Sequence, residues 1–80
     1  MTFEAILEDM GAVIRDVLDN DDLEITAATT AQDVPEWDSL SHVQLVVAME
    51  KRFKVRFTAA EIRSFKNVGE MAAAIQQRVS

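Results

Sequence analysis

Apolar side chains in residues 3–18 recur every three or four positions. That spacing predicts an amphipathic helix whose apolar stripe packs inward. The stripe consists of Phe3, Ile6, Leu7, Met10, Val13, Ile14, Val17 and Leu18. Thr2 comes directly before it, and a threonine hydroxyl can accept from the free N–H groups of a first helical turn. We therefore predict a first helix over residues 3–18 with Thr2 as its N-cap.

A second helical pattern, in residues 39–53, has apolar side chains on two sides of the helix. One stripe is predicted to face the core; it consists of Leu45, Val46, Met49 and Phe53. The other stripe has i, i+3, i+7 spacing and consists of Leu40, Val43 and Val47. A helix with so wide an apolar face is either deeply buried or exposes part of that face for binding. The spacing alone leaves both interpretations open.

Two shorter helices are predicted in the last third of the chain. Thr58-Ala59-Ala60-Glu61 is a capping-box sequence, which predicts a short third helix through about Ser64, with Ile62 and Phe65 as its apolar residues. Asn67-Val68-Gly69-Glu70 is a similar start for a fourth helix, although glycine is costly inside a helix. The stripe of this helix consists of Val68, Met71, Ile75 and Val79.

The connections complete an all-α prediction, a four-helix bundle in a single domain covering residues 1–80. Residues 52–57 alternate between basic and apolar side chains, which predicts the end of the second helix followed by an extended connector with Val55 and Phe57 packed inward. The segment from Asp19 to Asp38 has no periodicity beyond a possible short turn, and a loop near 20 residues is often functional. Its predicted anchors onto the core are Ile25, Val34 and Trp37.

Acidic residues are concentrated in the first half of the chain. The net charge is −6, with eleven Asp and Glu and one Arg before Ser39, against three Glu and seven Lys and Arg from there on. This balance disfavours nucleic-acid binding. The acidic run after the first helix lacks the EF-hand pattern, because Leu23 stands where an oxygen ligand is needed and no glycine follows. We predict a solvated turn there and no metal site.

The absence of cysteine and the hydropathy of the chain indicate where the protein is expected to be found. The chain has no cysteine, so neither a disulfide framework nor a cysteine metal site is expected. No segment approaches the roughly 20 apolar residues of a membrane span, and no signal-peptide pattern is visible at the N-terminus. We expect a cytoplasmic monomer without membrane insertion.

Ser39 lies at the junction between the long polar segment and the second helix. Asp38 and Ser39 are both good N-caps, and most serines at such positions act only as caps. A helix N-terminus also presents free N–H groups and the positive end of the dipole, so it is a favourable place for a phosphate. A cap and a phosphate attachment point are therefore both open interpretations of Ser39.

Asp38-Ser39-Leu40, followed by an apolar helix ending in Met49-Glu50-x-x-Phe53, resembles the acyl carrier proteins. The resemblance covers nearly the whole chain in length and helix order. It implies that a phosphopantetheinyl transferase, using magnesium, moves 4′-phosphopantetheine from coenzyme A to the Ser39 hydroxyl. Asp38 and Leu40 complete the cofactor-binding motif. It also implies a carrier rather than an enzyme, one that holds an acyl group as a thioester and delivers it to acyl-loading and acyl-transfer enzymes.

In that family the helix after the serine docks partner enzymes. The resemblance therefore implies a docking surface that includes Leu40, Val43, Gln44, Val47, Glu50 and Lys51. Carriers of fatty-acid synthesis are usually rich in acids on this helix, whereas here it ends in Lys51 and Arg52. Because charge complementarity governs partner choice, we expect a specialised polyketide, lipid or sugar-acylation pathway. The alternatives are a stand-alone peptidyl or aminoacyl carrier, and an unmodified adaptor that docks partners through the second helix.

Three further expectations concern Trp37, His42 and three side chains of the predicted helices. Trp37 occupies a position where many members of the family have glycine, which affects the expected loop conformation. His42 is predicted to face solvent beside the prosthetic group. Ala48, Met49 and Met71 are hypothesised to let the core admit an acyl chain, since methionine repacks easily.

Overall fold

The computed structural model, which describes residues 2–79, contains four α-helices and one short 3-10 turn in that part of the chain. The helices are α1 (Phe3–Val17), α2 (Ser39–Phe53), α3 (Ala59–Ser64) and α4 (Val68–Val79), and the 3-10 turn is Ala31–Asp33. The all-helical prediction, the helix order, the long loop after the first helix and the short third helix are confirmed. The 3-10 turn is the short turn expected within the long loop.

The helices begin where side chains satisfy the first-turn N–H groups. Thr2 Oγ1 accepts from Ala5 N at 3.1 Å, as predicted for α1. In α3 the capping box is complete, because Thr58 Oγ1 accepts from Glu61 N at 3.1 Å and Glu61 Oε1 accepts from Thr58 N at 2.9 Å. Local sequence therefore sets these starts, since each cap lies within three residues of the group it satisfies.

Left-handed residues follow the ends of the first two helices. α1 ends at Val17, one residue before the predicted end, because Leu18 forms the C-cap and Asp19 turns the chain with φ 54°. Lys54 ends α2 with φ 57° and ψ 47°, and its N–H donates to the Glu50 carbonyl. A residue in this conformation cannot continue a right-handed helix, so the chain leaves α2 as the predicted extended connector.

The core lies between α1, α2 and α4, with the loop and the connector closing its sides. Its fully buried large side chains are Ile6, Met10, Ile14, Leu45, Val46, Met49, Val68, Met71 and Ile75. The predicted core stripe of α2 is confirmed, as are the buried positions of Val55 and Phe57. Val34 and Trp37 are buried and Ile25 packs against the core, so the three predicted loop anchors are confirmed.

Two backbone hydrogen bonds fasten the long loop to the start of α4. Val68 N donates to Thr29 O at 2.9 Å, and Gly69 N donates to Ala27 O at 2.8 Å. A Cβ at position 69 would lie 2.8 Å from the same Ala27 oxygen, so the close approach of the loop requires glycine there. Thr29 is buried, and its hydroxyl accepts from Thr26 N at 2.9 Å. These bonds hold the loop that leads to Ser39.

Arg78 ties α3 to α4. Its Nη2 lies 2.6 Å from each carboxylate oxygen of Glu61, and its guanidinium stands 5.2 Å from the centre of the Phe57 ring. The pKa of Glu61 is lowered, first by the backbone N–H of Thr58 and then by Arg78. The short third helix, too short to be stable alone, is thus held in place by the connector and the last turn of α4.

The described residues contain no helix long and apolar enough to cross a membrane. Within residues 2–79, no group of three or more His, Cys, Asp or Glu side chains is placed to hold a metal ion.

Candidate functional site

Ser39 is the first residue of α2, and its side chain is exposed. The capping role belongs to Asp38, whose Oδ1 accepts from Ser41 N at 2.8 Å. This bond is the main cause that lowers the pKa of the Asp38 carboxyl. Within residues 2–79, no group forms a hydrogen bond with the Ser39 hydroxyl. The interpretation of Ser39 as a cap is therefore wrong, and its hydroxyl is free to react.

The hydroxyl of Ser41, the other serine of this turn, forms a structural hydrogen bond. Ser41 Oγ donates to the Glu36 carbonyl at 2.9 Å, and the Glu36 carboxylate accepts from Asn20 Nδ2 at 2.7 Å. The first turn of α2 is thereby fastened to the loop before it. Of the two serines in this turn, only Ser39 has an available hydroxyl.

His42 does not face solvent as predicted, because both of its ring nitrogens are engaged. Trp37 Nε1 donates to His42 Nδ1 at 3.2 Å, and the two rings stack 6.1 Å apart at 24°. Since Nδ1 accepts, the proton lies on Nε2, which donates to the Ile62 carbonyl at 3.0 Å. His42 is half-buried between α2 and α3. Neither nitrogen is left to act as a base toward Ser39.

A cavity of about 440 Å³ opens beside Ser39, between the loop, α2 and α3. Its lining includes Trp37, His42, Ile62, Phe65 and Met71, with Arg63 and Lys66 as basic members. This volume lies within the range of roughly 300–1,000 Å³ typical of small-molecule sites. Sequence reasoning missed Arg63 and Lys66 as part of the site; the only local signal was their alternation with the apolar residues Ile62 and Phe65.

The second apolar stripe of α2 is exposed rather than buried. Leu40 is 68% exposed, Val43 55% and Val47 41%. Gln44 is also exposed on this helix. Of the two interpretations that the spacing left open, the structure supports a free surface beginning one residue after Ser39.

Of the charged side chains at the end of α2, two interact with other parts of the chain. Glu50 is half-buried, and its Oε2 accepts from Phe57 N at 2.9 Å. Arg52 pairs with Asp9 of α1 at 3.1 Å. Lys51 is exposed, and no described residue forms an ion pair with it. Of the predicted docking residues, Lys51 therefore offers a free charge, whereas the Glu50 carboxylate already holds the connector.

Comparison with known proteins agrees with this geometry. The family model described as "Phosphopantetheine attachment site" matches residues 8–75, and an acyl carrier protein of Exiguobacterium sibiricum is 30% identical over 79 residues. The chain belongs to the acyl carrier protein family. The alignment with the Exiguobacterium carrier covers 99% of this chain and 100% of that protein. An acyl carrier protein of Rhodococcus erythropolis is 28% identical, over 95% of this chain and 84% of that protein.

The fold is also that of a solved carrier. The solution NMR structure of a holo acyl carrier protein from Geobacter metallireducens matches with a TM-score of 0.86 and 36% identity. The match covers 91% of this chain and 84% of that one. The prosthetic group of this carrier is phosphopantetheine. The residues here suit that group, because a free hydroxyl, a helix N-terminus and a cavity with two cationic side chains lie together.

Proposed function

We propose that the Ser39 hydroxyl bears the 4′-phosphopantetheine arm and that this carrier delivers an acyl thioester to the enzymes of a specialised pathway. The observation that carries the proposal is a contrast at the start of α2. Asp38 is the N-cap, and Ser41 Oγ is hydrogen-bonded to the carbonyl of Glu36 in the preceding loop. Of these three side chains, only Ser39 has an exposed hydroxyl without a hydrogen bond. A phosphodiester on Ser39 would lie at the positive end of the α2 dipole, which favours an anion.

The chain positions the serine without activating it. His42 is the only histidine, and its nitrogens are bonded to Trp37 and Ile62. Deprotonation of the Ser39 hydroxyl is therefore the task of the transferase. When bound, the arm supplies the thiol that this cysteine-free chain lacks. These features support a carrier that presents cargo to other enzymes and performs no catalysis of its own.

The exposed stripe of Leu40, Val43 and Val47 is the proposed docking surface, with Gln44 and Lys51 beside it. It suits both the transferase and the acyl-handling enzymes, since all of them must approach Ser39. α2 has no acid in its first turn, and the Glu50 carboxylate is bonded to Phe57 N. Partners with smaller basic patches fit this helix, which is why we favour a polyketide, lipid or sugar-acylation pathway over standard fatty-acid synthesis.

Intact mass spectrometry tests the attachment. The purified protein is incubated with coenzyme A, magnesium and a broad-specificity phosphopantetheinyl transferase. We expect the mass to rise by one phosphopantetheine in the wild type and in Ser41→Ala, but not in Ser39→Ala. Ser41→Ala is the matched control because it removes a hydroxyl two residues away. A wild type that stays unmodified, or a Ser39→Ala variant that is modified, would contradict the proposal.

Cargo is tested on the modified protein with panels of acyl and aminoacyl donors and their loading enzymes. Acyl thioesters are the expected products. Exclusive loading of aminoacyl groups would instead establish the peptidyl-carrier alternative.

A further inference from the structure

A hollow of about 510 Å³ lies at the C-terminal end of α2, the opposite end from Ser39. The last two turns of α2 and the connector after them form its lining, which consists of Val47, Glu50, Lys51, Lys54, Val55 and Arg56. We call it the basic hollow, because three of its six lining side chains are cationic and only one is acidic. Val47 also belongs to the exposed stripe of α2, so the stripe continues into the basic hollow.

The three cations of the basic hollow are available because the fold does not pair them. Arg52 and Arg78 each form an ion pair with an acid of another helix. In contrast, the side chains of Lys51, Lys54 and Arg56 are exposed and form no ion pair or hydrogen bond with any residue in the range 2–79. In a chain of net charge −6, this grouping is a local region of positive potential that attracts an anion.

The acid of the basic hollow is engaged by the connector rather than by a cation. The Glu50 carbonyl accepts from Lys54 N, and its carboxylate Oε2 accepts from Phe57 N at 2.9 Å. On the other side of the connector, Arg78 Nε donates to the Arg56 carbonyl at 2.9 Å. The backbone that carries Lys54 and Arg56 is therefore fixed before any ligand binds, which lowers the ordering cost of binding.

Termination of α2 does not account for these cations. The helix dipole stabilises a cation in the last turn, but the effect falls off beyond it, and Arg56 lies past Phe53, the last residue of α2. Lys54 has φ 57° and ψ 47°, a left-handed conformation that glycine or asparagine adopts at lower cost. A lysine here keeps a charge at a position where helix termination alone would favour glycine.

Resting on the proposed carrier function, we propose that the basic hollow docks a patch of Asp and Glu side chains on the acyl-handling enzyme that receives this carrier. Carboxylates of the patch meet Lys51, Lys54 and Arg56, and an apolar side chain at its edge meets Val47. The guanidinium of Arg56 can bind both oxygens of one carboxylate. Because α2 rises 1.5 Å per residue, the patch should lie roughly 20 Å from the part of the enzyme that faces Ser39.

A discrete acidic patch on a protein fits this surface better than an anionic membrane or a nucleic acid. The chain has eleven Asp and Glu and one Arg before Ser39, so an extended anionic surface repels its first half. An enzyme patch needs to match only the basic hollow and the stripe beside it. The same cations reject enzymes with basic docking patches, because like charges would then face each other. The basic hollow would thus select which enzymes the carrier serves.

Peptide titration tests the charge preference. Hexaglutamate and hexalysine are added separately to the nitrogen-15-labelled, modified protein near neutral pH. We expect hexaglutamate to shift the amide signals of residues 47–56 most, with an affinity that falls about tenfold between low and physiological ionic strength. Hexalysine should leave these signals unchanged. A hexaglutamate response that is absent, or spread over the whole chain, would overturn the proposal. Co-sedimentation with phosphatidylglycerol vesicles would also overturn it, in favour of a lipid surface.

Charge removal tests the basic hollow itself. The double variant Lys54→Gln/Arg56→Gln should lose most of the hexaglutamate response. The matched control, Arg63→Gln/Lys66→Gln, also removes two exposed positive charges but lies outside the basic hollow, and it should respond as wild type. Since all four side chains are exposed, both variants should keep the wild-type circular dichroism spectrum. Equal losses in the two variants would show that net charge alone drives the response.

Zero-length cross-linking tests the enzyme partner. A carbodiimide joins a lysine amine to a carboxylate only where the two are in contact. In a mixture of the modified protein and the enzyme that acylates it, we expect cross-links from Lys51 or Lys54 to Asp or Glu residues of the enzyme. Cross-links that instead join Glu50 to lysines of the enzyme would contradict the proposal.

Intact mass, recorded on the same samples, separates the two proposals. An unmodified wild type defeats attachment at Ser39 and the enzyme docking that rests on it. A modified protein that does not respond to hexaglutamate defeats only the basic hollow and leaves the carrier function in place.

Discussion

The two apolar stripes of α2 consist of the same kinds of residue, but one is buried and the other is exposed. Leu45, Val46 and Met49 are fully buried in the core, whereas Leu40, Val43 and Val47 are 68%, 55% and 41% exposed. The difference lies in what the rest of the chain places beside the helix. The core stripe stabilises the fold, and the exposed stripe, beside Ser39, is the surface that we propose docks partner enzymes. Substitutions at matched positions can separate these roles.

A large difference in stability is expected between a leucine in one stripe and a leucine in the other. Leu45→Ala leaves a cavity in the core and should lower the free energy of unfolding by about 2–5 kcal/mol. Leu40→Ala removes the same atoms from an exposed position and should change it by no more than about 0.5 kcal/mol. Urea unfolding followed by circular dichroism measures both. Similar losses in the two variants would mean that the exposed stripe is core in solution.

A charge in each stripe comes next. Val46→Asp buries a carboxylate and should prevent folding. Val43→Asp should fold normally but lower kcat/KM for modification by the transferase by about tenfold, which corresponds to roughly 1.4 kcal/mol of lost docking.

The control for Val43→Asp is Ala73→Asp, which adds the same charge at an exposed position of α4. The control should be modified at the wild-type rate. If Val43→Asp is modified as fast as this control, the stripe has no part in docking the transferase.

A smaller effect is expected where α2 meets α3. Trp37→Phe keeps an aromatic ring in the lining of the cavity beside Ser39 but removes the donor to His42 Nδ1. Loss of one such bond should cost about 0.5–1.5 kcal/mol, and the histidine should lose its fixed tautomer. Urea unfolding gives the first quantity and nitrogen-15 NMR of the imidazole gives the second. An imidazole spectrum identical to wild type would show that the indole does not set the tautomer.

The smallest effect is an acid-dependent change at Asp38. Its pKa is lowered in the folded protein by the Ser41 N–H bond, so its contribution to stability is present above the unfolded pKa. That contribution is lost as pH falls through the folded pKa. Asp38→Asn keeps a capping oxygen but cannot ionise. The wild type should therefore be the more stable of the two near neutral pH, and unfolding curves should show the difference shrinking in acid.

Local sequence predicted the fold where local contacts determine it. The starts of α1 and α3 follow from the hydroxyls of Thr2 and Thr58, and that of α4 from Asn67, whose Oδ1 accepts from Glu70 N at 2.8 Å. Each of these contacts spans three residues. The exposed serine could also be placed at a helix start, because the motif and the onset of the apolar pattern coincide at Ser39.

Distant contacts account for what the sequence missed. His42 was expected in solvent, but its Nε2 is bonded to the carbonyl of Ile62, twenty residues further along the chain. Gly69 weakened the helix prediction, yet it is required by the approach of Ala27 O from the long loop. Arg63 and Lys66 line the cavity beside Ser39 because the bond from His42 Nε2 to the Ile62 carbonyl holds α3 against α2. None of these contacts has a signature in local periodicity.

The central claim, attachment at Ser39, is tested most directly by locating the modification within one peptide. Trypsin cleaves after Arg15 and Lys51, so the peptide of residues 16–51 contains Ser39 and Ser41 and no other serine. After conversion with coenzyme A and the transferase, fragment ions that divide the peptide between these two serines should place the added mass on Ser39. Added mass on Ser41, or an unmodified peptide, would contradict the account.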